Sequence, residues 1–542
     1  MKRYLRRIGA LLMATLMVLS MCLTVFANDN TSESTLRIKG IDAENGITVK
    51  AYKIIKYNTQ GAYEEVYSGT IDKNDKGELT PTAANLADLS VRKDLGDGIT
   101  ITKKDGNDYI ATADQGFEAG TYMIIVEGSK TTLYNPAIIS VRMGTDGKLI
   151  YGELNFETDE WTGTGELYMK KSTPGITKTA LTENVDGVQY GDYIQFQITS
   201  DVPDYTSTKE EIKYEITDTL TGLTIAVDKD HTVVATVGGA KDDTLTNAVN
   251  EAVVDNATSF TVKDLGDEFI HNHKKEQIVI TYWAKVSTTA KKNVDETNNV
   301  ASLEYSTTGG TTTKTSETKH YTFGIDTGVR YADTTVKVNK TGEFIKTDAN
   351  GSVSYVKTGE TTGEPVISDA KALAGAKFEL HIGKETGPLF IDGEGKNEFV
   401  TDGTGRLEIN GLDSDITYYL VETQAPSGYT VNNTAIPVKI TAEYIRDENK
   451  KVSGCSGYKV IIGSGSNQAI TYYKYNEEEE TTVLLNDKDH PSNPYQFKNS
   501  ELHSLPSTGG MGTYLFTITG VMIMAAVTGM FLVSRRKEHE NQ

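Results

Sequence analysis

The sequence predicts an all-β protein made of tandem immunoglobulin-like β-sandwich domains, preceded by a signal peptide and followed by a transmembrane helix. Short alternating runs such as 48–54, 193–198 and 277–283 have the period of two that is typical of half-buried strands. Clusters of turn-forming residues, such as 72–77 and 402–405, separate these runs. Between the termini we expect only one short helix, around residues 83–89. Several short strands between turns indicate immunoglobulin-like sandwiches.

The first 27 residues are predicted to be a secretory signal peptide. A positive segment (Lys2, Arg3, Arg6 and Arg7) precedes the apolar run 8–25, and small residues end at Ala27, where we place the cleavage. The apolar run is too short, and wrongly flanked, for a stable membrane span. The chain is therefore expected to be secreted.

The exported part is long enough for about three domains. We place boundaries near residues 170 and 330, which defines a first module (28–170), a second module (171–330) and a third module (331–503). The formal net charge of −21 argues against nucleic-acid binding, which needs a basic surface. Of the two cysteines, Cys22 leaves with the signal peptide, so Cys455 cannot form a disulfide within the mature chain.

The C-terminus has three consecutive parts: the pentapeptide LPSTG at 505–509, an apolar segment at 514–533, and a positively charged tail at 534–542. The apolar segment is long enough to cross a bilayer as a helix, and the basic residues favour a cytoplasmic end. This order resembles the cell-wall sorting signal of Gram-positive surface proteins. The resemblance implies that a sortase recognises Leu505 and Pro506, cleaves between Thr508 and Gly509, and joins Thr508 to an amine.

The third module resembles the Cna-B domains of pilins and adhesin stalks, through 372–380 and the E-box stretch YYLVETQAPSGY at 418–429. The resemblance implies that Glu422 promotes an amide (isopeptide) bond between a first-strand lysine and Asn499 on the last strand. The lysine is expected to be Lys340, which is in phase with two valines at 336 and 338. Lys346 follows close behind and stays an alternative.

The second module resembles the central domain of major pilins, through 187–192 and 214–220. The resemblance implies a bond between Lys178 and Asn299, with Asp218 as the helper acid. Asp218 is in phase with Tyr214 and Ile216 and should face inward. The alternative is that these polar residues are simply solvated, as most such residues are.

Burial explains why such residues would react. It lowers the pKa of a lysine and raises that of a carboxyl group, so both become neutral and the amine can attack the asparagine. The fold holds the reacting groups together, and proximity supplies much of the rate. The second and third modules would each modify themselves once, without a cofactor and without turnover.

The end of the first module resembles the pilin motif WxxxVxVYPKN, with Trp161 followed at the family's spacing by Leu167-Tyr168-Met169-Lys170. The resemblance implies that Lys170 is the nucleophile that a pilin-specific sortase joins to the next subunit. Gly165, Leu167, Met169 and Lys171 depart from the motif, and two adjacent lysines leave Lys170 and Lys171 as alternatives. We assign no lysine–acid–asparagine trio to this module.

Over its whole length the chain resembles the sortase-assembled, LPXTG-anchored major (backbone) pilins of Gram-positive bacteria, of the SpaH/EbpB-like type. This resemblance implies a pilus (fimbrium) subunit at the cell surface, linked to peptidoglycan. Its partners would be a pilin-specific sortase, a housekeeping sortase, identical subunits and minor pilins, with the membrane contacted only by the precursor. The alternatives are a wall-anchored monomeric adhesin, and a base or minor pilin with the Cna-B domain as a stalk.

Other chemistry is not expected. The Asp- and Asn-containing run 72–77 resembles a calcium loop, but Lys76 occupies a ligand position, so we expect a hairpin turn. His271 and His273 have no further His or Cys nearby, which argues against a metal site. No nucleophile-elbow, phosphate-loop or zinc-protease motif is present, so we expect no turnover enzyme.

Overall fold

A computed structural model describes residues 34–57, 62–155, 158, 160–205, 212–293, 296–326, 329–331, 337–338, 342–358, 361–476, 481–502 and 511–539. These residues form a chain of β-sheets followed by one long C-terminal helix. The signal-peptide cleavage site at Ala27, the LPSTG motif and Lys340 lie outside the described residues.

The first module packs a four-stranded sheet, ordered β12-β1-β6-β5, and a seven-stranded sheet, ordered β11-β10-β9-β7-β2-β3 with β4 beside β2. Its strands are β1 Thr35–Lys39, β2 Thr48–Tyr57, β3 Tyr63–Glu65, β4 Ile99–Ile101, β5 Lys104–Asp105, β6 Asp108–Thr112, β7 Gly120–Glu127, β8 Leu133–Tyr134, β9 Ala137–Met143, β10 Leu149–Asn155, β11 Glu160–Gly163, β12 Glu166–Tyr168 and β13 Lys171–Ser172.

The helix expected around residues 83–89 is present as α1, Ala83–Ser90. Its N-terminus is capped by Thr82, whose side chain accepts the backbone N–H of Asn85. The run 72–77 is a tight turn, closed by a hydrogen bond from the backbone N–H of Gly77 to the carbonyl of Asn74.

The second module is a sandwich of two antiparallel sheets, a five-stranded one (β14-β15-β20-β17, with β18 beside β20) and a four-stranded one (β19-β16-β21-β22). Its strands are β14 Ile176–Ala180, β15 Tyr193–Asp201, β16 Tyr214–Leu220, β17 Leu223–Ala226, β18 Val234–Val237, β19 Ser259–Val262, β20 Gln277–Val286, β21 Thr297–Thr307 and β22 Gly310–His320. Alternate residues of β15, β16, β20 and β21 are buried, as period-two patterning predicts.

Two helices of the second module were not expected from the sequence: α2, Asp243–Ala252, and α3, Gly266–Asn272. Helix α2 buries only Leu245 and Val249, so its apolar periodicity is confined to one pair of positions. Its clearest local signal is the N-cap, where the Asp242 side chain accepts the backbone N–H of Leu245 at 2.9 Å.

The third module contains a nine-stranded sheet, ordered β25-β24-β36-β35-β34-β33-β32-β29-β30, and the pairs β23-β31, β26-β37 and β27-β28. Its strands are β23 Phe323–Ile325, β24 Val329–Tyr331, β25 Lys337–Val338, β26 Phe344–Asp348, β27 Ser352–Thr358, β28 Thr361–Ser368, β29 Lys377–Ile382, β30 Phe399–Val400, β31 Ile409–Leu412, β32 Thr417–Gln424, β33 Ile436–Arg446, β34 Val452–Ile462, β35 Ala469–Asn476, β36 Thr481–Leu485 and β37 Tyr495–Asn499.

The core of the third module begins before residue 330, where the sequence places its start. Tyr321, Phe323 and Ile325 pack into the apolar core of this module, and β23 pairs with β31. The alternating aromatic and aliphatic side chains of this segment have their burial partners downstream rather than in the second module.

Helix α4, Met511–His539, contains a stretch, Tyr514–Lys537, with a mean hydropathy of 2.1. By length and composition this stretch can cross a bilayer. It includes the segment 514–533 that the sequence predicts to be membrane-spanning.

Candidate functional sites

The second module brings Lys178, Asp218 and Asn299 together in its core, where each is at most 1% exposed. Lys178 lies on β14 of the five-stranded sheet, while Asp218 and Asn299 lie on β16 and β21 of the facing sheet. The Lys178 ammonium donates a hydrogen bond to Asp218 Oδ1 at 2.6 Å. The cluster therefore connects the two layers of the sandwich through side chains.

A fourth residue, Tyr282 on β20, belongs to this cluster and was not predicted from the sequence. Its hydroxyl accepts a hydrogen bond from Lys178 Nζ at 2.9 Å and one from Asn299 Nδ2 at 2.6 Å, and donates one to Asp218 Oδ2. In the sequence Tyr282 is one of several apolar-face residues of β20, and period two alone cannot distinguish a core tyrosine from one whose hydroxyl meets polar groups.

The apolar surroundings shift the ionisation of these groups. Burial lowers the pKa of the Lys178 ammonium to about 8, although the neighbouring Asp218 opposes the shift. Burial also raises the pKa of the Asp218 carboxyl, against the opposing effects of Lys178 and Tyr282. Both shifts favour the neutral amine and the neutral acid, which are the forms that amide formation requires.

The third module contains a second buried cluster, formed by Lys346, Glu422 and Asn499, each at most 1% exposed. Lys346 Nζ lies 3.1 Å from Glu422 Oε1 and donates a hydrogen bond to Asn499 Oδ1. Asn499 Nδ2 donates to both carboxylate oxygens of Glu422, at 2.9 and 3.0 Å. The amine, the acid and the amide are thus in mutual contact.

The lysine of this cluster is Lys346, which corrects the preference for Lys340. Strand β26 runs parallel to β37, with Lys346 opposite Phe497 and Asp348 opposite Asn499. Lys346 is in phase with Phe344, whose ring packs in the core, and this pattern could have identified it from the sequence. The strand phase of the valines at 336 and 338, on which the preference for Lys340 rested, involves a segment that is largely outside the described residues.

The surroundings of Lys346 are apolar and aromatic. Its ammonium lies over the ring of Phe497, 4.1 Å from the centroid. Burial lowers the pKa of the ammonium to about 8, although Glu422 opposes this shift. The backbone N–H of Asn432 donates to Glu422 Oε2 at 2.7 Å and helps to orient the acid.

The junction of the first and second modules exposes Lys170. Trp161 lies on β11, where Arg142 stacks over its ring at 4.4 Å, and the neighbouring Met169 is buried in the first module's core. Among the described residues, the Lys170 ammonium has no hydrogen-bonding or ionic partner. Its backbone carbonyl accepts the N–H of Asn135 at 2.9 Å, which anchors the main chain beneath the exposed side chain.

The adjacent Lys171 differs in its contacts. Its ammonium pairs with Asp42, whose carboxylate also accepts hydrogen bonds from Tyr134 at 2.9 Å and Thr132 at 3.0 Å. Lys171 belongs to strand β13, which pairs with β8. Of the two lysines, Lys170 is the one whose amine has no partner among the residues that the structure describes.

Metal binding has no structural support within the described ranges, where no group of three or more His, Cys, Asp or Glu side chains could hold an ion. His271 Nδ1 contacts the carbonyl of Asp267, and His273 Nδ1 contacts Glu276. Cys455 is buried and is a free thiol.

Two protein families match parts of the chain. A SpaA domain, described as a prealbumin-like fold domain, matches residues 351–451, and the LPXTG cell wall anchor motif matches residues 498–540. The trypsin-resistant surface T6 protein of Streptococcus pyogenes serotype M6 is 24% identical over 564 residues, covering 93% of this chain and 96% of the relative.

The chain is also similar to solved structures of bacterial pilins. The three-domain T6 backbone pilin of serotype M6 Streptococcus pyogenes superposes with a TM-score of 0.50 at 18% identity, over 86% of this chain and 98% of that one. The full-length major pilin SpaD from Corynebacterium diphtheriae matches with a TM-score of 0.41 at 16% identity, over 87% and 98%. The anchor motif, the SpaA domain and the full-length streptococcal relative together indicate a secreted, cell-wall-anchored surface protein that is similar to the backbone pilins of the Gram-positive LPXTG type.

Proposed function

We propose that this chain is the repeating shaft subunit of a covalent pilus. A pilin-specific sortase would cleave LPSTG after Thr508 and join the new Thr508 carboxyl to the side-chain amine of Lys170 in the next subunit. Repetition of this head-to-tail link gives an open filament, because donor and acceptor are different surfaces of the same chain. A housekeeping sortase would transfer the last subunit to peptidoglycan, and minor pilins would join the same fibre.

The observation that carries this proposal is the exposed, unpaired amine of Lys170 in a chain that also carries LPSTG. A transpeptidation acceptor must be accessible, and among the described residues the exposed Lys170 amine has no partner, whereas the Lys171 amine is paired with Asp42. The buried Met169 and the anchored carbonyl of Lys170 hold the acceptor on ordered main chain. The likeness to a streptococcal backbone pilin supports the same role.

We further propose that the two buried clusters form amide bonds, Lys178 to Asn299 and Lys346 to Asn499. In each cluster the neutral lysine attacks the asparagine carboxamide, the acid (Asp218 or Glu422) moves the protons, and ammonia leaves. The contacts of Lys346 with both Glu422 and Asn499 support this reaction, because the nucleophile already touches the group that it would attack.

The decisive experiment for the shaft role compares Lys170→Ala, Lys171→Ala and the double variant in the native host. On a denaturing gel of wall extracts, wild type and Lys171→Ala should give a ladder of covalent oligomers. Lys170→Ala should give only monomer, because the acceptor amine is lost. A ladder that persists in the double variant would exclude the shaft role and favour a wall-anchored adhesin or a base pilin.

A further inference from the structure

The two clusters differ in how the acid reaches the asparagine. In the third module Glu422 contacts the carboxamide of Asn499 directly, through both oxygens. In the second module, where all the side chains concerned are described, no hydrogen bond joins Asp218 to Asn299. The Tyr282 hydroxyl lies between them, hydrogen-bonded to Asp218 Oδ2 and 2.6 Å from Asn299 Nδ2.

The difference follows from side-chain length. Aspartate is shorter than glutamate by one methylene, about 1.5 Å of reach. A phenolic hydroxyl both donates and accepts hydrogen bonds, so it can bridge the gap between a short carboxyl side chain and the amide by two consecutive hydrogen bonds. In this cluster the hydroxyl of Tyr282 takes the place of the missing methylene of Asp218.

The position of this hydroxyl is fixed by packing. The Tyr282 ring is fully buried, packed edge-on against Phe260 at 5.2 Å and stacked with Phe196 at 5.8 Å. Asn299 Oδ1 is buried without a hydrogen-bond partner. Since the two ends of a carboxamide have nearly the same shape, a half-turn of the Asn299 amide brings Oδ1 to the Tyr282 hydroxyl as an acceptor.

We propose that Tyr282 is a catalytic residue of amide formation in the second module. Its hydroxyl receives a hydrogen bond from protonated Asp218 and donates one to the carboxamide of Asn299. This inference rests on the proposed Lys178–Asn299 bond. The Tyr282 hydroxyl touches both reacting side chains, at 2.9 Å from Lys178 Nζ and 2.6 Å from the Asn299 amide. It stabilises negative charge on the carbonyl oxygen in the way that a preorganised oxyanion donor does.

The steps balance without any other reactant. The Lys178 ammonium gives a proton to Asp218, and the neutral Nζ attacks Asn299 Cγ to form a new C–N bond. The carbonyl electron pair moves onto Oδ1, where the Tyr282 hydroxyl, supported by protonated Asp218, donates a hydrogen bond. A proton from Nζ then passes by way of the Asp218 carboxyl group to Nδ2, the carbonyl double bond re-forms as the Cγ–Nδ2 bond breaks, and ammonia leaves while the Tyr282 hydroxyl stays at Oδ1.

The test is Tyr282→Phe, which keeps the ring and removes the hydroxyl. The full-length chain is expressed in a sortase-deficient Gram-positive host, pulse-labelled, extracted with detergent and digested, and cross-linked peptides are followed with time. Loss of a general acid–base group should slow the Lys178–Asn299 bond by about 100-fold or more. The Lys346–Asn499 bond of the same molecules is the internal control and should form at the wild-type rate.

A second variant separates catalysis from folding. Asp218→Glu in the Tyr282→Phe background supplies the missing reach, as Glu422 does in the third module, and should restore the Lys178–Asn299 bond. A purely structural role for the hydroxyl predicts no such rescue. Failure of the rescue would overturn the proposed relay.

The remaining outcomes are also distinct. Wild-type bond formation in Tyr282→Phe would overturn the role of Tyr282 and leave the proposed bond intact. Absence of the Lys178–Asn299 cross-link from wild type would instead refute the bond itself, before any variant is compared.

Discussion

At the scale of single residues, the third module buries two carboxyl groups side by side, Asp326 and Glu343. The backbone N–H of Asp326 donates to Glu343 Oε2 at 2.8 Å, and Tyr473 donates its hydroxyl to the same carboxyl group of Glu343. Burial raises the pKa of both carboxyl groups, and the charge of Asp326 raises that of Glu343 further. The pair therefore holds a proton where exposed carboxyl groups are ionised.

This pair predicts that the third module loses stability as the pH rises. A carboxyl group whose pKa is higher in the folded than in the unfolded chain stabilises the folded state. This stabilisation is complete at a pH below the pKa of the unfolded chain, and it is lost as the pH rises through the pKa of the folded chain. The slope is up to about 1.4 kcal/mol per pH unit for each extra proton bound by the folded state. Glu343→Gln should flatten the fall in the third module's unfolding temperature between about pH 5 and about pH 8, measured by calorimetry.

The control is Glu385→Gln, which removes an exposed glutamate of the same module and should keep the wild-type slope. An unchanged slope in Glu343→Gln would show that the buried pair does not carry the extra proton.

The sequence predicts which side chains face inward wherever the alternation along a strand can be read. It does not predict which buried side chains meet across two sheets. The inward phase of Asp218 follows from Tyr214 and Ile216 on its own strand. Tyr282 becomes distinctive only because the facing sheet places Asp218 and Asn299 at its hydroxyl. No local pattern contains that information, because it depends on the packing of two sheets.

At the scale of elements, the parallel pairing of β26 with β37 decides which lysine of the third module can react. Lys346 on β26 is opposite Phe497 on β37, and Asn499 follows two residues later on β37. Lys346 fills the position beside Glu422 and Asn499. Lys340 lies outside the described residues.

We therefore expect peptide mapping of wild type to find Lys346 joined to Asn499. Lys340→Ala should keep this cross-link, and Lys346→Ala should abolish it. Lys346→Ala also removes the proposed cross-link, and by the loop-closure argument its loss should cost about 5 kcal/mol of stability. A cross-link that survives in Lys346→Ala and disappears in Lys340→Ala would restore the original sequence assignment.

The elements themselves were predictable to the extent that they repeat a pattern. Long strands such as β15 and β20 alternate over nine or ten residues, and their positions follow directly from the sequence. Helix α2 shows the limit, since its inward face consists of two buried side chains and tertiary packing supplies the rest. The start of the third module at β23 could not be predicted either, because β23 is placed there by its pairing with β31, a strand much later in the chain.

At the scale of the whole molecule, the proposed links define the path of a pulling force. Tension enters a subunit at Lys170 and leaves at Thr508, so residues before Lys170 lie outside the path. The two proposed bonds bypass residues 178–299 and 346–499 within it. Among the described residues of the first module no lysine is buried, in keeping with a module that carries no load.

Mechanical extension tests this arrangement. In a chain tethered at residue 170 and at its C-terminal end, wild type should extend only by its linkers. Asn299→Ala removes one bond and should release about 120 residues, on the order of 400 Å of additional contour length. By the loop-closure argument for cross-links, the same substitution should lower the unfolding free energy by about 4–5 kcal/mol.

The matched control is Asn298→Ala, on the same strand but with its side chain on the other face, which should extend as wild type does. The Lys178–Asp218 pair remains in Asn299→Ala, so its altered extension reports the missing bond rather than an unpaired buried charge. An equally long extension of wild type would mean that force passes through the non-covalent sandwich. The strength of the fibre would then have to come from packing and hydrogen bonds alone.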